Sequence, residues 1–357
     1  RGKNHFPRTK LKDQHMKKMF ITLAIASLSV LSVVRATTIN ENFSADPSQN
    51  GWQVFGDTNQ FQWDSTNQNL DVTWDSTQPN SYFYHPLGTT LTRNDDFSIA
   101  FDLRLNDIAS GNEPGKTGPL ELGFGFLNFD PLNPMNATST NFMRGAYGSA
   151  PDVAEFDYYA HGYYTDPFYD SPAAPVPSFI SDDGYDYAPA DISVYDDELP
   201  TNQLIHVTLT YTASNQTAVV CLTTNGVSVG ELPPLALNGD NGFADAGDDF
   251  SVDTFSVSSY SSTGDDYDSV LAHGSVGNIV VTLPPPAQNL SGTFSNGVWQ
   301  IQFTDRSGWL YTLERTTNFL SWAAVSIPTS GNGTNLFLQD TNPPSDKAFY
   351  RVSAQRP

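Results

Sequence analysis

The 357-residue chain holds 17 basic and 39 acidic residues, a net charge of −22, which argues against nucleic acid or an anionic membrane surface as a partner. Its single cysteine, Cys221, excludes an intrachain disulfide. Cys221 sits in the apolar stretch Ala218-Val219-Val220-Cys221-Leu222, which predicts a buried, inert thiol in a strand.

Residues 1–15 precede Met16 and read as an upstream extension with no structural weight. Lys17 and Lys18 then lead into an apolar run from Met19 to Val34 and the small-residue pattern Val34-Arg35-Ala36, which predicts a secretory signal peptide over 16–36. The run is too short and too rich in serine for a membrane anchor, so the expected product is exported, secreted or attached at the cell surface, with no membrane span in the mature chain. The first 36 residues contain eight of the basic residues and one of the acidic ones. A chain beginning at Thr37 therefore carries nine against 38, a net charge of about −29.

From there on, short alternating runs bounded by Gly, Pro, Asn and Asp replace helical periodicity. Examples are 69–74, 97–103, 120–126 and 205–211, each with one apolar and one polar face, as a sheet with one buried face requires. The expected class is all-β, with a large β-sandwich over 37–283. Leu283-Pro284-Pro285-Pro286-Ala287 breaks this pattern and predicts a stiff linker over 284–287. Residues 37–286 hold four basic and 34 acidic residues, whereas 287–357 hold five and four, so nearly all the negative charge belongs to the first domain.

Within the large domain, Val153-Ala154-Glu155-Phe156-Asp157-Tyr158-Tyr159-Ala160-His161 is the most informative segment. Alternation sets Glu155 and Asp157 on one face of a strand, roughly 7 Å apart, where they can share a hard cation, with His161 and Asp166 as further candidates. Calcium takes about six to eight oxygens, so carbonyls, waters or another loop would have to complete the set. The alternative is that both carboxylates form the solvated face of an acidic sheet. Between 158 and 198 tyrosine and aspartate mingle with proline, which predicts a long loop. Tyr159, Tyr163, Tyr164 and Tyr169 would suit a glycan-binding rim, because flat rings stack on sugars; packing of the same rings against the sandwich is the other reading. A second acidic stretch, 238–249, offers Asp240, Asp245 and Asp248 as a second candidate metal loop, without the spacing of an EF-hand.

The last predicted elements, 298–303, 309–315, 335–340 and 348–353, suit a small sandwich over 288–357, with Trp309, Trp322 and Tyr350 as core residues.

Two resemblances add to this reading. Asn40-Glu41-Asn42-Phe43 with Gly51-Trp52, the closing segment 252–260 and Gly277-Asn278-Ile279-Val280-Val281 resemble the first and last strands of concanavalin-like, or laminin-G-like, jelly-roll sandwiches, in which the last strands return beside the first. Glu155, Asp157 and Asp166-Pro167 resemble the metal-binding strand and loop of legume-type lectins, which implies calcium beside a sugar site. His161 stands where that pattern has asparagine, and the gap to Asp166 is one residue longer. Laminarinase-like hydrolases share the sandwich, but their second glutamate would fall at Tyr159 or Ala160, so the proton donor of retaining hydrolysis is missing and no catalytic residue is assigned. The stretch 310–322 and Phe349-Tyr350-Arg351-Val352 resemble the fibronectin-like, immunoglobulin-type modules at the carboxyl ends of exported bacterial proteins, which implies a spacer or surface-attachment unit. The combined expectation is an exported protein that binds a glycan or a cell-surface protein without catalysis, assisted by calcium. A polysaccharide hydrolase or lyase on the same fold, and a structural surface protein, are the alternatives.

Overall fold

The computed structural model describes residues 37–110, 121–129, 152–160, 165–166, 169–170, 173–181, 184–187, 198–237, 249–260 and 270–355. The leader reading, His161, Tyr163, Tyr164, Asp240, Asp245 and Asp248 lie outside them. No helix among the described residues is long and apolar enough to cross a membrane.

In chain order the large domain comprises β1 (Thr37–Glu41), β2 (Gln53–Phe55), β3 (Phe61–Asp64), β4 (Asn69–Asp75), β5 (Ser81–Thr92), β6 (Phe97–Ser110), β7 (Glu121–Leu127), β8 (Val153–Tyr159) and β9 (Thr165–Asp166). It continues with β10 (Tyr169–Asp170), β11 (Ala174–Ser181), β12 (Gly184–Tyr187), β13 (Ile205–Thr212), β14 (Thr217–Thr224), β15 (Val227–Glu231), β16 (Leu235–Ala236), β17 (Ser251–Ser259) and β18 (Val270–Leu283).

Two antiparallel sheets stack as a concanavalin-like jelly-roll sandwich. The nine-stranded sheet runs β15-β14-β13-β6-β18-β4-β3, with β1 added on β18 and β16 on β14; the seven-stranded sheet runs β12-β11-β8-β7-β17-β5-β2. The chain closes on itself as expected, because Thr37 pairs with Leu283 and Glu41 with Ile279. The segment 252–260 does not join the first strand; it lies in the other sheet between β5 and β7.

Alternation explains the core. Phe101, Leu103, Val207, Leu209, Val220 and Leu222 of one sheet meet Phe124, Phe126, Phe156, Phe179, Phe255 and Val257 of the other in a single buried cluster. The sheets touch through rings: Phe101 stacks on Phe124 at 4.5 Å between centroids, and Trp74 reaches Phe124 at 5.7 Å. On β14 the inward positions are Ala218, Val220 and Leu222, which leaves Cys221 exposed. The buried-thiol expectation is thereby corrected: an apolar run implied burial on both faces, whereas the outer face of this strand is open.

The smaller sandwich follows with β19 (Gln288–Ser295), β20 (Val298–Thr304), β21 (Leu310–Thr316), β22 (Ala323–Ala324), β23 (Thr329–Ser330), β24 (Asn335–Asp340) and β25 (Phe349–Gln355). β19-β20-β24 form one sheet; β22, β23 and β25 all pair with β21 in the other. Ala287, Ile301, Phe303, Tyr311, Leu313, Leu338 and Tyr350 fill the space between them. Tyr350 stacks on Trp299 at 5.0 Å and donates to Asp340 Oδ2 at 3.0 Å, where Arg315 also binds at 2.6 Å.

Candidate functional site

β8 is the third strand from the β12 edge of the seven-stranded sheet, hydrogen-bonded to β11 on one side and β7 on the other. Ala154, Phe156 and Tyr158 enter the sandwich core. Val153, Glu155, Asp157 and Tyr159 therefore share the opposite face. Antiparallel sheets commonly leave that second face wet. Here Glu155 and Asp157 are both 0% exposed, so the solvated-face alternative is corrected. Tyr159 is buried as well, at 3% exposure, and not on an open rim.

The register identifies what surrounds them. Glu155 pairs with Ser178 on β11 and with Gly125 on β7; Asp157 pairs with Val176 and Gly123. One strand further, Gly125 pairs with Ser256 and Gly123 with Ser258, which in turn face Tyr84 and Tyr82 on β5. Tyr260 donates to Glu155, with its hydroxyl 3.0 Å from Oε1 and 2.9 Å from Oε2. Ser256 Oγ and Ser258 Oγ lie 2.8 Å apart, and Tyr84 donates to Gln53 Oε1 at 3.0 Å. Burial raises the Tyr84 hydroxyl above the usual phenol range. Tyr82, Tyr84, Leu127, Phe129, Val153, Ile180 and Tyr260 pack as a second buried cluster on this face.

The two glycines make the carboxylates' room. A side chain at Gly123 would meet the Tyr260 ring at 2.5 Å and Glu155 Oε2 at 2.9 Å; one at Gly125 would run into the Glu155 Cα and Cβ. β7 thus alternates large inward rings, Phe124 and Phe126, with two outward positions, Gly123 and Gly125, that have no side chain. Ser178 Oγ, beside Glu155, is buried and has no hydrogen-bond partner among the described residues.

Of the sequence-predicted residues, Glu155, Asp157 and Tyr159 share this face. Asp166 and Tyr169 pair with each other across the two-stranded β9–β10 hairpin. Among the described residues, no group of three or more His, Cys, Asp or Glu is placed to hold a metal ion. Sequence reading missed Ser178, Tyr260, Tyr82 and Tyr84, which belong to strands far apart in the chain. It also missed Glu121, whose backbone pairs with Tyr159. The alternation Ser256, Ser258, Tyr260 was the one available signal, since it marks a polar face that a core strand has no need of.

Behind the site, the Tyr158 hydroxyl accepts from Leu199 N at 3.1 Å. Burial pushes its pKa up to about 12, opposed by the Leu199 N–H and assisted by the charge of Glu198. An unfolded tyrosine ionises near 10, so between about pH 10 and 12 the unfolded chain releases the proton first. Stability supplied by neutral Tyr158 is therefore intact below pH 10 and falls by about 1.4 kcal/mol per pH unit above it. Denaturant titrations from pH 9 to 12 should show Tyr158→Phe losing stability less steeply than the wild type.

The arrangement is that of a two-sheet jelly roll with a polar, tyrosine-walled face on the seven-stranded sheet. No family model matches the chain, and no curated protein matches it. Among solved structures it is similar to plant lectins. These include lectin II from Ulex europaeus (14% identity, 70% of this chain and 98% of that one, TM-score 0.42) and the peanut lectin with a 9mer peptide (16%, 70% and 98%, TM-score 0.36). A third is lectin UEA-II complexed with galactose (13%, 70% and 98%, TM-score 0.41). At these scores the fold rests on the strand order and register described above.

Proposed function

We propose that the chain is an exported, non-catalytic glycan-binding protein whose site is built on the outer face of β8 and supported by calcium. The observation that carries this reading is the burial together on one face of Glu155, Asp157 and the Ser178 hydroxyl, which has no hydrogen-bond partner among the described residues. Burying two carboxylates is costly unless positive charge or hydrogen bonds compensate them, and Tyr260 already serves Glu155. Carboxylate and hydroxyl oxygens are the hard donors calcium prefers, so the residues fit this ion. Glu155 and Asp157 would hold it, with His161, Asp166 and carbonyl groups as the remaining candidates. Bound calcium would supply positive charge beside the buried pair. Tyr82, Tyr84 and Tyr260 are buried in the ring cluster on this face, so they would form the floor behind a sugar site and hold Glu155 in place.

The non-catalytic reading is supported by Tyr159 and Ala160, which stand where a sandwich hydrolase carries its acid/base glutamate. The carboxyl-terminal sandwich belongs to this reading as a fibronectin-like module that presents the larger domain at a surface.

The test is calorimetry of the chain from Thr37 onward against a panel of neutral glycans, with calcium and then with chelator. Calcium at about a hundredfold excess over its Kd should stabilise the fold by about 2.7 kcal/mol, and Asp157→Asn should abolish that gain together with glycan binding. Absence of ion uptake and of any calcium-dependent change in stability or binding would sink the calcium reading. Release of reducing ends or unsaturated sugars above background would replace binding by hydrolysis or elimination.

A further inference from the structure

The two sandwiches are joined at more than the linker. Leu283, the last residue of β18, is buried in the large core, and Ala287 is buried in the small one, so three prolines alone separate the two. Proline fixes φ, which already limits how far the small sandwich can swing.

A second attachment lies away from the linker. Arg306, on the turn between β20 and β21, reaches across to the end of β5 and the turn that follows it. Its guanidinium donates to Asp95 Oδ1 at 2.7 Å and to the carbonyl of Thr90 at 2.8 Å. The two charged side chains are 9% and 16% exposed. Trp309 Nε1 donates to Thr89 Oγ1 at 3.4 Å on the same strand. The turn bearing Arg306 is itself fastened to the linker, because Tyr311 accepts from Arg306 N at 2.8 Å and donates to Pro286 O at 2.5 Å.

We infer that the carboxyl-terminal sandwich is a fixed bracket on the large one, locked by Arg306, and not a tether on which the large one swings. A forked donor that meets a carboxylate and a carbonyl at once sets direction as well as distance. Burial keeps the ion pair from being screened as a surface pair would be. A linker alone leaves rotation about its axis; a second point removes it. The grip falls on the strand whose opposite end carries Tyr82 and Tyr84, although the inference does not depend on what that face binds.

Dipolar distance measurement on the chain from Thr37 onward tests this, with one spin label on the exposed native Cys221 and another on an exposed position of the small sandwich, Lys347→Cys. The parent pair should give one narrow distance peak that persists in high salt. Arg306→Ala should broaden it at least twofold, and Arg306→Lys, which keeps the charge but not the fork, should fall between. If Arg306→Ala does not fold, Asp95→Asn combined with Thr89→Val removes the charge partner of Arg306 and the acceptor of Trp309 from the other side, leaving only the Thr90 carbonyl contact. A broad distribution in the parent overturns the inference. So does a narrow one that the substitutions on both sides leave unchanged.

Discussion

Phe124→Ala is expected to lower folding stability by about 4 kcal/mol, seen as a large fall in the urea midpoint with an unchanged slope. Phe124 is fully buried and is the ring on which the two sheets meet. Phe101 stacks on it at 4.5 Å, Trp74 lies at 5.7 Å and Phe156 at 6.1 Å. Removing it leaves a cavity whose walls are rigid rings on three strands, and rings cannot collapse into the space as aliphatic chains do. Phe124→Leu, which keeps most of the volume, should lose well under half as much. Equal effects of the two substitutions would show that the cluster is more pliant than its geometry implies.

The second large effect comes from adding a single methyl group. Gly125→Ala places a Cβ against the Glu155 backbone and the Ala154 carbonyl, where only a shift of β7 against β8 can relieve the overlap. The expected loss is about 3 kcal/mol, at the upper end for overpacking, because backbone atoms and not the tip of a side chain must move. Gly123→Ala should be milder, since the Tyr260 ring it meets can rotate. It should instead detach Tyr260 from Glu155 and alter tyrosine ultraviolet absorbance while leaving the fold. Thermal melts and near-ultraviolet circular dichroism of the two variants separate these outcomes. An unimpaired Gly125→Ala would mean that the glycine is there for another reason.

Much of the architecture was legible in the residues themselves. The alternating runs at 69–74, 97–103 and 205–211 lie in strands, as do the four predicted in the small sandwich. Glu155 and Asp157 share a face because period two leaves no choice. What alternation cannot encode is whether the second face of a strand meets solvent. That depends on segments remote in sequence, and it is why Glu155, for which a solvated face was one of two readings, is dry, while Cys221 read as dry and is wet. The contact between Tyr260 and Glu155 was out of reach for the same reason, since it requires the register of β8, β7 and β17 together. Arg306 gave no signal at all, because a lone arginine in a turn looks the same whether it faces water or another domain.

The pairing of β1 with β18 also dictates the order in which this molecule can be made. Among the described residues β1 pairs with 279–283 alone, and β18 is in turn the strand that joins β4 to β6. The nine-stranded sheet is therefore two incomplete halves until nearly the whole of the large domain has emerged and its last strand slides between them. Contacts this distant along the chain make closure slow, and until it happens both flanks of the gap present open edges to any neighbouring chain.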